Sequence, residues 1–379
     1  MTRKRFILTI VLSLVLLIAV SAGAQTASDQ TFFMTFVPNI QFAPVYVGLE
    51  KGYFADAGIN LTVEHGDEPV GVDLIASGQR QFGIISGEQV IAARANGRPV
   101  VFVYEWFQEY PVGILTTLES GYETMDDLRG QRVGIPGRFG ASYTGLIALL
   151  DANGMTESDI QLEEIGFNAP DVVCVGAISA SVVYVNNEPL QIQHRAESDE
   201  CGDVSGVQVI TVGSAVDMVS NGLVTSEEAI ASDPDLVRRF TAAFDRSVRD
   251  AIDNPAEAYL MSAEHVENLP LSDELRAGLE AEAAEQSAWL EENPDADRET
   301  IAGRRADLLA SLSDQFSDDD LIQFEVMMAT IDLWDADELG VTTPESWEAT
   351  QDTLIQMGFI DQPIDLEAAY TNEFVPEGE

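Results

Sequence analysis

The chain has 379 residues, of which 19 are basic and 65 acidic, giving a formal charge of −46. That balance excludes nucleic-acid binding through phosphate neutralisation, which needs a basic face. At 46% hydrophobic and 22% charged, it is not a disordered acidic tail either, and its length suits two folded lobes.

Arg3-Lys4-Arg5 precedes a mostly apolar run over residues 6–20 and then Ala22-Gly23-Ala24. A basic start, a short apolar stretch and a small-residue cleavage site form the secretory pattern. The run falls short of the roughly 20 apolar residues that a membrane-spanning helix needs. We therefore expect residues 1–24 to be a signal peptide, with an exported chain starting at Gln25. No cysteine stands near that site, so a lipoprotein anchor is not expected.

From there, short apolar strands alternate with helices. Strands are predicted over 31–37, 59–64, 81–85 and 100–104, with helices over 44–52, 70–77 and 88–96 between them. The same grammar restarts near Met125, with strands over 132–135, 160–165, 180–185 and 207–212 and helices over 140–153 and 171–178. The chain then returns through Ser220-Asn221-Gly222 into long helices, broken at Asn254-Pro255. The stretch 264–320 is acidic and Ala-rich and reads as solvated helices. This is a bilobal α/β clamshell with parallel strands, lobe one covering 25–114 and lobe two 115–210. Residues 211–379 return to lobe one and form a helical C-terminal region. Ligands of such sheets sit at the carboxyl ends of the strands, so both lobes supply one cleft.

The cysteines are Cys174 and Cys201. In an oxidising compartment a bond between them would stabilise by roughly 3–4 kcal/mol, and the acidic segment around Cys201 suits a stapled loop. His65, His194 and His265 are far apart, so no metal site and no cofactor is expected.

Candidate ligand residues cluster at strand ends. Asn39 ends the first strand, where it either caps the next turn or meets a ligand; Gln41 and Phe42 follow. Glu88 starts a helix, which the helix dipole favours with or without a ligand. Trp106 and Tyr110 belong to the densest aromatic stretch, able to sandwich a flat heterocycle or to fill a core. Arg138, Phe139, Ser142 and Tyr143 surround a glycine-containing helix start whose free N–H groups accept anions or carbonyl oxygens. It lacks the residues of a P-loop or a dinucleotide fingerprint. Asn187 and Glu188 end a lobe-two strand, and Asn221 sits on the return strand; turn formation explains Asn187 and Glu188 equally well.

Residues 36–59, running from Phe36-Val37-Pro38-Asn39 through Lys51-Gly52-Tyr53-Phe54 to Gly58-Ile59, resemble the opening of periplasmic substrate-binding proteins of ABC importers. The similar branch is the thiamine-pyrimidine-precursor and sulfonate-binding superfamily. Gly78 to Ile84, Arg98-Pro99 and Asp127 to Gly134 fit it at matching intervals. Ser86-Gly87-Glu88, Gly134 to Tyr143 and Tyr184 to Pro189 look like its riboflavin-binding branch. The resemblance implies a periplasmic-binding-protein clamshell with two mixed or parallel sheets flanked by helices and an acidic helical extension. It further implies a monomer that is not an enzyme, takes a riboflavin-like small molecule and docks on an ABC permease. Precursor binders and yeast-type pyrimidine synthases often carry a histidine three residues after the Pro-Asn. Phe42 occupies that position, which favours a ligand that stacks.

Overall fold

The computed structural model describes residues 27–376; the expected signal segment lies outside them. Four strands open the chain: β1 (Ser28–Thr35), β2 (Ile59–Gly66), β3 (Phe82–Ser86) and β4 (Val100–Glu105). Helices α1 (Ala43–Glu50), α2 (Tyr53–Asp56), α3 (Glu68–Ala76) and α4 (Gly87–Ala95) connect them. The next five strands make a second sheet: β5 (Val112–Thr117), β6 (Arg132–Ile135), β7 (Gln161–Glu164), β8 (Ala180–Tyr184) and β9 (Val207–Thr211). Its helices are α5 (Gly140–Ala152), α6 (Ala169–Cys174) and α7 (Glu188–Glu197). The chain then comes back as β10 (Asn221–Ser226), which inserts between β3 and β4.

Both sheets are mixed, the first of the two arrangements that the resemblance implies, although the alternation of strands and helices alone points to parallel strands. β1 runs parallel to β2 and β3, and β6 parallel to β7 and β8. β10 is antiparallel to β3 and β4, and β5 is antiparallel to β8 and β9. These two exceptions are the strands that enter a sheet from the other lobe. A strand arriving from the cleft side runs opposite to strands that end there. The first crossover lies between Glu105 and Val112, so the expected boundary at residue 114 falls inside β5.

The return half packs on sheet one. Helix α8 (Glu227–Ser232) precedes α9 (Pro234–Asp253), whose apolar face buries Leu236, Phe240, Phe244 and Val248. Phe240 stacks on Phe82 with centroids 3.9 Å apart and meets Phe32 edge-on at 5.1 Å. Asn254 ends α9 and caps α10 (Pro255–Ser262), accepting from Glu257 N, while Pro255 starts that helix without needing a donor. The acidic stretch forms α11 (Asp273–Glu292), α12 (Arg298–Ser313) and the start of α13 (Asp318–Trp334). These helices are not merely solvated. Leu275, Leu279, Leu312 and Leu321 enter the lobe-one core, and the acids stay on the outer faces. Helix α14 (Pro344–Gln356) covers sheet one from the other side, with Trp347 edge-on to Phe102.

Lobe two has its own apolar core around Val112, Ile114, Val133, Ile135 and Leu149. A smaller cluster there holds Cys174 and Cys201, which are bonded to each other. Among the described residues, no helix is long and apolar enough to cross a membrane.

Candidate functional site

The carboxyl ends of both sheets face one cleft of about 830 Å³, counting the open space within its walls. Lobe one contributes Phe36, Gln41, Phe42, Asp67, Glu68, Ile84, Trp106, Phe107 and Asn221. Lobe two contributes Pro136, Phe139 to Ser142, Phe167, Val183, Tyr184, Asn187 and Glu188. Seven of the lining side chains are aromatic, and the walls are mostly apolar with a few polar groups, as small-molecule sites are.

Several of the expected residues therefore meet at the cleft: Gln41, Phe42, Trp106, Phe139, Ser142, Asn187, Glu188 and Asn221. Five do not line it. Asn39 caps the short turn after β1, its Oδ1 accepting from Gln41 N at 3.0 Å. Arg138 points to the surface, paired with Glu157 and Glu164. Tyr143 donates to Glu157 and stacks on Phe359. Tyr110 is buried behind the lining, donating to Ala141 O at 3.0 Å. Glu88 is fully buried beneath β3, bonded to Ser86.

The aromatic expectations also shift. Trp106 is 1% exposed and held by Trp334, Phe107 and Phe244, so it supports the wall rather than offering a free face. Its ring nitrogen is buried without a hydrogen-bond partner among the described residues. Phe42 packs at 6.2 Å from Trp106 and belongs to both the wall and the core. The more accessible rings are Phe36, Phe139 and Phe167. Phe36 and Phe167 come from opposite lobes and meet edge-to-face with centroids 4.7 Å apart. Phe36 has φ 74°, a left-handed backbone that a large side chain adopts only when its surroundings impose it.

Polar contacts bridge the lobes behind these rings. Asn186 Nδ2 donates to Gln41 Oε1 at 2.7 Å and to Thr330 Oγ1 at 2.8 Å. Tyr184 Oη donates to Asn221 Oδ1 at 3.2 Å. Glu188 begins helix α7 instead of ending β8, and its Oε2 accepts from Tyr184 N at 2.9 Å. Burial raises its carboxyl to about 7, against the pull of that backbone bond. At neutral pH it can both donate to and accept from a ligand edge.

Glu68 and Ser86 are among the residues that sequence reasoning missed, as are the lining residues Phe36, Asp67, Phe107, Phe167 and Tyr184. Ser86 Oγ lies 2.5 Å from Glu68 Oε1 and 2.6 Å from Glu88 Oε1. A hydroxyl has one hydrogen, so one of these contacts is donated by a carboxyl that keeps its proton. Burial raises the Glu68 carboxyl too, but it also accepts from Ser86 N and Ala141 N, which pull it back down and make it the more acidic of the pair. Glu88 is the protonated one, raised to about 8 by burial and then by the charge of Glu68. Only Pro69 and the start of a helix after β2 hinted at this position, and an acid there also suits the dipole.

The NMT1/THI5 like family matches residues 39–258. The chain belongs to that family. Riboflavin-binding protein RibY of Chloroflexus aurantiacus is 30% identical over 93% of this chain and 88% of its own. The 4-amino-5-hydroxymethyl-2-methylpyrimidine phosphate synthase of Legionella pneumophila is 24% identical over 63% of this chain and 74% of its own. Among solved structures, the ligand-binding component of an ABC-type import system from Staphylococcus aureus superposes with a TM-score of 0.59. It is 11% identical, over 92% of this chain and 97% of that one. The fold is thus the periplasmic-binding-protein clamshell. Among the described residues no group of three or more His, Cys, Asp and Glu is placed to hold a metal ion.

Proposed function

We propose that this member of the NMT1/THI5 like family is an exported, monomeric solute-binding protein of an ABC importer that captures riboflavin or a similarly flat heteroaromatic vitamin. In this reading residues 1–24 direct export, no lipid anchor is used, and the closed clamshell docks on a permease of the cytoplasmic membrane. It is not an enzyme. The observation that carries the reading is the build of the cleft: aromatic walls from both lobes, with Asn187, Glu188 and Asn221 at the edges. Such a slot suits a planar ring with polar edges, and the unpaired Trp106 N–H supplies one more donor. The likeness to RibY over nearly the whole chain supports the same ligand class. A synthase reading has less support, since Phe42 stands in the wall and both cysteines are bonded together.

The test is titration of the purified protein with riboflavin, followed by flavin fluorescence. Quenching that saturates at one ligand per chain is expected, because an isoalloxazine held against aromatic rings loses its emission. Unaltered fluorescence with no heat of binding would exclude riboflavin.

A further inference from the structure

The cleft is lopsided in charge. Asp67, Glu68 and Glu188 line it, and among the described residues no Lys, Arg or His does. Three helix N-termini, each positively polarised, meet it. Helices α3 and α7 carry Glu68 and Glu188 in their own first turns, whereas α5, whose first-turn N–H groups have no partner within the helix, carries no acid of its own there. Gly140, Ala141 and Ser142 of that turn belong to the lining. A ligand carboxylate, sulfonate or phosphate would be held there.

That place is already filled from inside the protein. Glu68 reaches across from the start of α3, and its Oε2 accepts from Ala141 N at 3.1 Å. Its other oxygen accepts from Ser86 N at 2.7 Å and Ser86 Oγ at 2.5 Å, so the carboxylate is fixed from both lobes. Only 6% of the residue is exposed. The backbone is shaped for this approach: Gly140 has φ +64°, and a Cβ there would stand 2.5 Å from Glu68 Oε2. A side chain at 140 would therefore both strain the turn and push the carboxylate away.

We propose that Glu68 is the charge-selecting residue of the cleft, an internal carboxylate that takes the anion position at the start of α5 and restricts ligands to neutral or cationic flat heteroaromatics. The inference rests on the binding-protein reading above and narrows its ligand class. An anionic group that entered would either sit beside Glu68 at like charge or displace it and strand a buried carboxylate; both are costly. Carbonyl and N–H groups on a ring edge meet neither penalty.

The experiment uses isoalloxazines bearing either a ring carboxylate or the matching carboxamide, with riboflavin as reference, all measured by calorimetry. The wild type should bind the carboxamide at least about tenfold more tightly than the carboxylate, as like-charge juxtaposition requires. Glu68→Gln should shrink that ratio severalfold, while Glu68→Asp, which keeps the charge, should preserve most of it. Equal wild-type affinity for the two probes overturns the proposal whether or not the variants fold. A ratio unchanged in a folded Glu68→Gln protein overturns it as well. If riboflavin does not bind, the flavin reading fails on its own. The charge question is then put with 2-naphthalenesulfonate against 2-naphthalenesulfonamide; here too a tighter sulfonamide supports the role of Glu68, while a tighter sulfonate or no binding by either overturns it.

Discussion

Glu88 is buried in the first turn of α4, Glu105 is buried at the end of β4, and Glu188 is half-buried in the cleft wall. Burial is the main cause in each case, raising Glu88 to about 8 and Glu105 and Glu188 to about 7. Each acid holds its proton more tightly folded than unfolded, where the value is 4.5. Near neutral pH the native state therefore binds more protons, and its stability falls as pH rises from the unfolded value through the folded ones. The thermal midpoint should drop between about pH 5 and about pH 9, and Glu88→Gln should flatten that slope by removing one titrating group. A slope that is the same in the variant would mean that Glu88 is already ionised at neutral pH. Phe167 allows a kinetic prediction at the same scale. Its ring is 41% exposed and leans on Phe36 across the cleft. Phe167→Ala should speed ligand release by about two- to tenfold, in line with the loss of one aromatic contact of about 0.5–1.5 kcal/mol. Stopped-flow displacement measures this, and an unchanged release rate removes Phe167 from the closing contact.

The bond between Cys174 and Cys201 ties the end of α6 to the loop after α7, spanning 27 residues. On the chain-entropy argument it contributes roughly 3–4 kcal/mol, so reduction should lower the melting temperature. Because neither cysteine lines the cleft, ligand affinity at low temperature should hold after reduction. Calorimetric scans with and without reductant test both halves of that expectation. Helix α7 itself was not legible in the sequence. It buries little beyond Pro189 and Ile192, and with Gln191, Gln193, His194 and Arg195 it carries no apolar stripe to betray it. β5 was missed for the opposite reason. Val112 to Leu115 is apolar, but it follows the Trp106–Tyr110 aromatics after a single proline, so the strand merged with what precedes it. Strands such as Arg132–Ile135 were legible because turns bracket a short apolar run. The cleft residues near strand ends were legible for the same reason, since Gln41 lies in the turn after β1, Asn187 caps α7 after β8, and Asn221 opens β10. What could not be read was tertiary pairing. Trp106 turns from a ligand face into a wall because Trp334, far away in the chain, stacks on it at 5.4 Å. Arg138 leaves the cleft because two surface glutamates hold it.

At the scale of the whole molecule the lobes are two bodies joined by two crossovers, and beside the ring contacts Phe36–Phe167 and Tyr143–Phe359, polar contacts hold them together across the cleft. Asn186 carries the densest of these, since its amide reaches both Gln41 in lobe one and Thr330 on α13. The residue is 2% exposed, and Thr330 is fully buried. Closing the clamshell therefore desolvates these groups together and repays them through one side chain. Opening it lets water take over the same bonds. Truncation consequently acts on the closed form alone: Asn186→Ala leaves the Gln41 carbonyl and the Thr330 hydroxyl facing each other without a bridge. The cost should be about 1–3 kcal/mol in closure, roughly five- to a hundredfold in ligand affinity, with little change in the melting temperature of the unliganded protein. The high negative charge adds a condition to the measurement. With a formal charge of −46, lobe-on-lobe repulsion opposes closure, and added salt screens it. Affinity for a neutral ligand should thus rise with ionic strength in wild type and variant alike, and the gap between them should stay constant. Small-angle scattering with and without ligand gives the same answer in shape. The wild type should contract on binding, and Asn186→Ala should contract less at equal saturation. A variant that binds as tightly as the wild type at every salt concentration would show that closure does not pass through this amide.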